Sequence, residues 1–299
     1  MKKTVFLFML VIAAYSVYGQ TGTCKSGALL WKISGKDLSK PSYLLGTFHL
    51  KSGEYLDSIP GAKSALQSCE QVVGEVNMSD MVGMQMQMQQ AIMMPSDTTY
   101  QMLYSDEDYG FVSEKITSLV GAGLNQLGML KPVAIHLNVI VLAYAKYFPN
   151  INPADILDIR IQSEARNEQK PVVALETADY QIHVLFGIKS LQGQADDLLC
   201  SLRNLDKMMA LIPKQIEYYD HGDLYNLDQQ FKNTEICPSD PSESAALIKD
   251  RNDVWMEKLP EIMKDKSSFI AVGALHLAGE DGLLNLLEKS GYKVDPVGL

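Results

Sequence analysis

Basic residues are scarce in this chain: 26 Lys and Arg stand against 36 Asp and Glu, a formal net charge of −10 over 299 residues. Phosphate binding needs clustered Lys and Arg, and no such cluster is present, so nucleic acid is excluded as a partner. The acidic balance also disfavours an anionic membrane surface and otherwise favours solubility. Beyond the first twenty residues no apolar run approaches the roughly 20 residues of a membrane helix, so no stable membrane insertion is expected. Familiar catalytic signatures are missing as well. There is no Gly-x-Ser-x-Gly elbow for a serine hydrolase, no His-Glu-x-x-His helix of the usual metalloprotease, and no Cys-x-x-Cys for a thiolate zinc site. A short repeat of solenoid type is also absent.

What is present begins with an export signal. Lys2-Lys3 precede an apolar stretch from Val5 to Ala14, and Val17-Tyr18-Gly19 supplies small residues for cleavage before Gln20. Removing residues 1–19 leaves 299 − 19 = 280 residues, read as one domain over 20–299, and takes away two lysines, moving the charge from −10 to about −12. The expected location is periplasmic or secreted. Cys24 is not read as a lipid anchor, because Thr21-Gly22-Thr23 lacks the usual apolar residue upstream. Four cysteines in an exported chain suggest disulfides, with Cys200–Cys237 and Cys24–Cys69 the favoured pairs.

Strands open and close the chain with helices between, which predicts an α/β fold. A mixed sheet is expected from N- and C-terminal strand-helix halves, with a large helical insertion in the middle. Ala28–Ile33, a turn at Ser34-Gly35-Lys36-Asp37, and Tyr43–Thr47 read as a hairpin. Ile59–Cys69 reads as a helix opened by Pro60, and Gln71–Val76 as a third strand. Apolar spacings of three and four mark helices in 111–120, 133–147 and 198–219. Strands follow at 171–175, 269–272 and 292–294, with a helix over 280–290. Seven of the fifteen methionines fall between Met78 and Met94, a stretch read first as ordinary helix packing, then as a pliable groove for apolar ligands. Copper binding through thioethers is a lesser alternative.

One phrase occurs twice. Tyr43-Leu44-Leu45-Gly46-Thr47-Phe48-His49-Leu50 and Ile270-Ala271-Val272-Gly273-Ala274-Leu275-His276-Leu277 each run from a buried strand into Gly-x-x-His-Leu. Strand ends are where α/β folds place their chemistry. His49, Glu75, Glu176 and His276 all fall at predicted strand ends, and they converge on one rim if the strands share a sheet. Two imidazoles and a carboxylate with open positions make a common catalytic metal site, so His49, Glu75 and His276 are the candidate metal ligands. A bound divalent ion would lower the pKa of its water and polarise a carbonyl. Glu176 is then the candidate general base, and Arg251 the fork that orients a carboxylate or holds an oxyanion. His136, His183 and His221 are read as core, helix and loop residues.

These phrases, with Val-Val-Gly-Glu-Val, Ala-Leu-Glu-Thr-Ala-Asp-Tyr-Gln, Arg-Asn and Gly-Ala-Leu-His-Leu-Ala-Gly-Glu-Asp-Gly-Leu, resemble the TraB/PrgY/GumN family from about Ala28 to Val297. That family includes the Tiki metalloproteases, and its wider superfamily resembles erythromycin esterases and haem-binding ChaN-like proteins. The resemblance implies divalent-metal-dependent hydrolysis of a peptide or protein substrate, supported by manganese or cobalt, and zinc is a further candidate for the ion. It matches His49, His276 and Glu75 to the motif residues, and Glu176 and Arg251 to further polar positions. Two alternatives stand beside it: a metal-free, esterase-like hydrolase in which His49 activates water, and a non-catalytic regulator that binds a peptide or cofactor.

Overall fold

The computed structural model describes residues 27–298 apart from 80, 150, 151, 153 and 239. The expected export signal (1–19) and Cys24 lie outside the described residues. Six strands form one mixed sheet: β1 (Leu30–Ser34), β2 (Ser42–Thr47), β3 (Gln71–Gly74), β4 (Val172–Ala174), β5 (Ser268–Gly273) and β6 (Lys293–Pro296). Their order is β4-β3-β5-β2-β1-β6. The four strands on one side, β4, β3, β5 and β2, run parallel, while β1 and β6 add on antiparallel at the other edge. The α/β class and the expected hairpin are both present, with Leu30 opposite Leu45 and Ile33 opposite Ser42.

The parallel strands are apolar on both faces because helices cover both sides of such a sheet. Leu44, Leu45, Val72, Val73, Ile270 and Val272 are fully buried, each worth roughly 1.5–3 kcal/mol relative to exposure. The predicted helix over 59–69 is shorter, Ala62–Ser68, because Gly61 in the left-handed region turns the chain just before it. The long helical pattern at 198–219 splits into Leu191–Arg203 and Leu205–Asp220 at Asn204, whose ψ of 16° leaves the helical range.

Between β3 and β5 the chain is helical apart from the short β4. These helices carry three apolar clusters of their own, separate from the one around the sheet. In the methionine-rich segment, Met88 packs with Ile92, Ala134, Ile182 and Phe186, while Met86 and Met93 face solvent. Cys200 and Cys237 form the expected disulfide. Cys69 is a free, buried thiol, and Cys24, its expected partner, lies outside the described residues. Among the described residues no helix is long and apolar enough to cross a membrane.

Candidate active site

Because β2, β3, β4 and β5 are parallel, their C-terminal ends share one rim, and the loops leaving them carry His49, Glu75, Glu176 and His276. The two motif phrases lie on adjacent strands, with Thr47 opposite Gly273. Their glycines do different work. A Cβ on Gly46 would sit 3.0 Å from Ala274 Cα, closer than an ordinary contact, so glycine lets β2 pass the turn after β5 without a shift. Gly273 has ordinary room, and its backbone N–H donates to Glu75 Oε1 at 2.8 Å.

Arg251 stands at the centre, carried by the helix Lys249–Asp265 and 1% exposed. Its five N–H groups are all used. Nε donates to Glu176 Oε2 (3.0 Å) and Nη2 to Glu176 Oε1 (2.7 Å) and Glu75 Oε2 (2.6 Å). Nη1 donates to Leu247 O (3.1 Å) and His276 Nε2 (3.0 Å). Glu176 is filled in the same way: Trp255 Nε1 adds a bond to Oε2 and Gln181 Nε2 one to Oε1. With four N–H donors on its two oxygens, this carboxylate has no acceptor site left for a water. In this arrangement Glu176 anchors Arg251, and the general-base role expected for it would require one of these four bonds to open.

His276 is closed as well. Asn252 Nδ2 donates to two carbonyls, which turns its Oδ1 toward His276 Nδ1 at 2.8 Å, and the Trp255 ring lies 4.4 Å from the imidazole. Burial, with Arg251 beside it, pushes His276 down to about 3, so it is neutral and accepts from the guanidinium. Burial opposes the charge of Glu75 most strongly, but Arg251, the neighbouring histidines and the Gly273 N–H together outweigh it and hold this carboxyl down at about 2.

His49 differs from all of these. Its side chain is 15% exposed, and Nδ1 donates to Asp158 Oδ2 at 2.9 Å, leaving Nε2 without a partner among the described residues. Thr47 Oγ1 holds the other Asp158 oxygen at 2.7 Å. Burial opposes the imidazolium, but Asp158 and then Glu75 outweigh it and raise His49 to about 9. Asp158, Trp255, Asn252 and Gln181 had no assigned role in the sequence. Asp158 opens the helix Leu157–Asn167, where an acid reads as a partner for the helix dipole. Its pairing with His49 across 109 positions exists only in the fold.

The same geometry tests the expected metal. Fixing Nδ1 of both histidines suits ligation through Nε2. However, Nε2 of His276 and Oε2 of Glu75 are already spent on Arg251, so the set retains two open donors, His49 Nε2 and Glu75 Oε1. Among the described residues no group of three or more His, Cys, Asp or Glu is arranged to hold a metal ion. As arranged, these residues do not fit a three-ligand metal, and the central cation is the guanidinium.

A parallel-sheet rim with a buried Glu–Arg–Glu cluster and paired Gly-x-x-His turns defines the class, and the comparisons give it a family. The chain belongs to the TraB/PrgY/gumN family, whose model matches residues 29–296. It is 23% identical over 342 residues to the Xenopus tropicalis protein named Metalloprotease TIKI1, a match that takes in 96% of this chain. The chain spans about two thirds, 66%, of that relative's length. No solved structure gives a significant match.

Proposed function

We propose that this chain is an exported hydrolase of peptide bonds, with His49 as the group that moves the proton. The observation that supports this reading is that His49 Nε2 is unspent and partly open, while the donors and acceptors of Arg251, Glu176 and His276 are already bonded to one another and to their neighbours. His49 Nε2 takes a proton from water as the water oxygen attacks the substrate carbonyl carbon. Asp158 fixes the tautomer and stabilises the imidazolium so formed. Nε2 then returns the proton to the leaving nitrogen. Glu75, its Oε2 fixed by Arg251, keeps a negative charge beside the imidazolium. Family membership and the metalloprotease name of a distant relative support the hydrolase class. The Cys200–Cys237 bridge supports an oxidising compartment.

A metal-dependent form of the same hydrolysis is favoured by that relative's name and by the tethering of both Nδ1 atoms. It requires Arg251 to leave His276. Mass spectrometry of mixed-sequence peptides incubated with the protein separates the two. Cleavage by metal-stripped protein supports the first reading, and cleavage restored only by Mn²⁺, Co²⁺ or Zn²⁺ supports the second.

A further inference from the structure

Gln181 lies early in the helix Ala178–Phe186 and is half-buried at the edge of the site. Its Nε2 donates to Glu75 Oε2 at 2.9 Å and to Glu176 Oε1 at 3.1 Å. Both neighbours are carboxylate oxygens bound to Arg251, and an ionised carboxylate only accepts. The nitrogen end of the amide is thereby fixed inward, and the carbonyl oxygen turns away from the carboxylates. No donor among the described residues bonds that oxygen.

The groups of the site that can still take a partner are then His49 Nε2, Gln181 Oε1 and the second lone pair of Glu75 Oε1, whose first accepts the Gly273 N–H. Two of the three can only accept, so the complementary group on a substrate is a donor. A peptide backbone supplies an N–H at every residue except proline. An ester oxygen or a methylated amide at the same place offers none, and leaves the Gln181 carbonyl unpaired.

We infer that Gln181 is a specificity-determining residue, whose carbonyl accepts a backbone N–H of the substrate and so selects peptides over esters. This rests on the hydrolytic reading of the site. The test uses mixed-sequence octapeptides, made once with an all-amide backbone and again with each residue N-methylated in turn. In wild-type protein, methylation at one position next to the cleaved bond is expected to lower kcat/KM by about tenfold, mainly through KM. In Gln181→Met that same substitution changes kcat/KM less than about twofold. Calorimetric binding of the same peptides to His49→Gln protein provides a second readout that needs no turnover, and the wild-type scan needs no Gln181 variant to fold. Equal methylation penalties in wild type and Gln181→Met would overturn the assignment while leaving the hydrolytic reading intact. The assignment also fails if His49→Gln binds every methylated peptide as well as its parent, or binds no peptide at all. Peptide cleavage that persists in His49→Gln would instead overturn the hydrolytic reading, and with it the inference.

Discussion

Single residues divide the site into a part that works and a part that holds. Asp158 is the clearest positioning residue, because it fixes one nitrogen of His49 and leaves the other for water. Asp158→Asn should lower kcat by about 10²-fold or more with KM little changed, measured on any peptide the wild type cleaves. The base form of His49 appears as pH rises through its raised pKa of about 9, so the rate should climb through that range. Removing the Asp158 charge lowers that pKa and should move the limb to lower pH; an unmoved limb would show that another group is titrating. Arg251 belongs to the part that holds. Arg251→Met strands two buried carboxylates and should destabilise the fold by about 3–5 kcal/mol in urea denaturation. Arg251→Lys should recover little, since three donors on a point charge cannot replace five in a planar fork.

Elements explain how much of this was legible in the sequence. Gly46 and Gly273 mark strand ends and the apolar runs before them read as buried strands, so a rim carrying four polar residues was readable on the condition that the strands share a sheet; that β2 and β5 are parallel neighbours comes from the fold. The contacts that decide roles were not. Glu176 reads as a free acid in sequence, because its four donors come from Arg251, Gln181 and Trp255, on two separate helices. The helical region holds two further tests. Cys200–Cys237 closes a loop of 37 positions between the helix Leu191–Arg203 and the segment after Phe231, and replacing both with alanine should cost about 2–4 kcal/mol in denaturant. His136, on the helix Pro132–Ala145, meets Ser201 Oγ through Nε2 at 2.7 Å. Burial, with Lys189 adding to it, pushes His136 down to about 4 from its usual 6.5. Between those values the unfolded chain takes up a proton that the native chain refuses. The contribution of His136 is therefore complete above about 6.5 and lost as pH falls toward about 4. His136→Gln should flatten this part of a stability–pH curve measured by urea midpoint.

At the scale of the molecule, helices inserted between β3 and β5 deliver Asp158, Gln181, Arg251 and Trp255 to a rim built by the sheet. Sequence periodicity shows that those helices exist, whereas their docking onto the rim depends on packing across a hundred or more positions. A fold does not by itself fix a reaction, so family membership alone does not choose the chemistry. That choice rests on the guanidinium standing where a metal was expected. The most direct measurement is cleavage of mixed-sequence peptides, read by mass spectrometry, with metal-stripped wild type and His49→Gln side by side. Cleavage by the metal-stripped wild type, absent in His49→Gln, is the predicted result. Cleavage that needs an added metal, or that survives in His49→Gln, would contradict it.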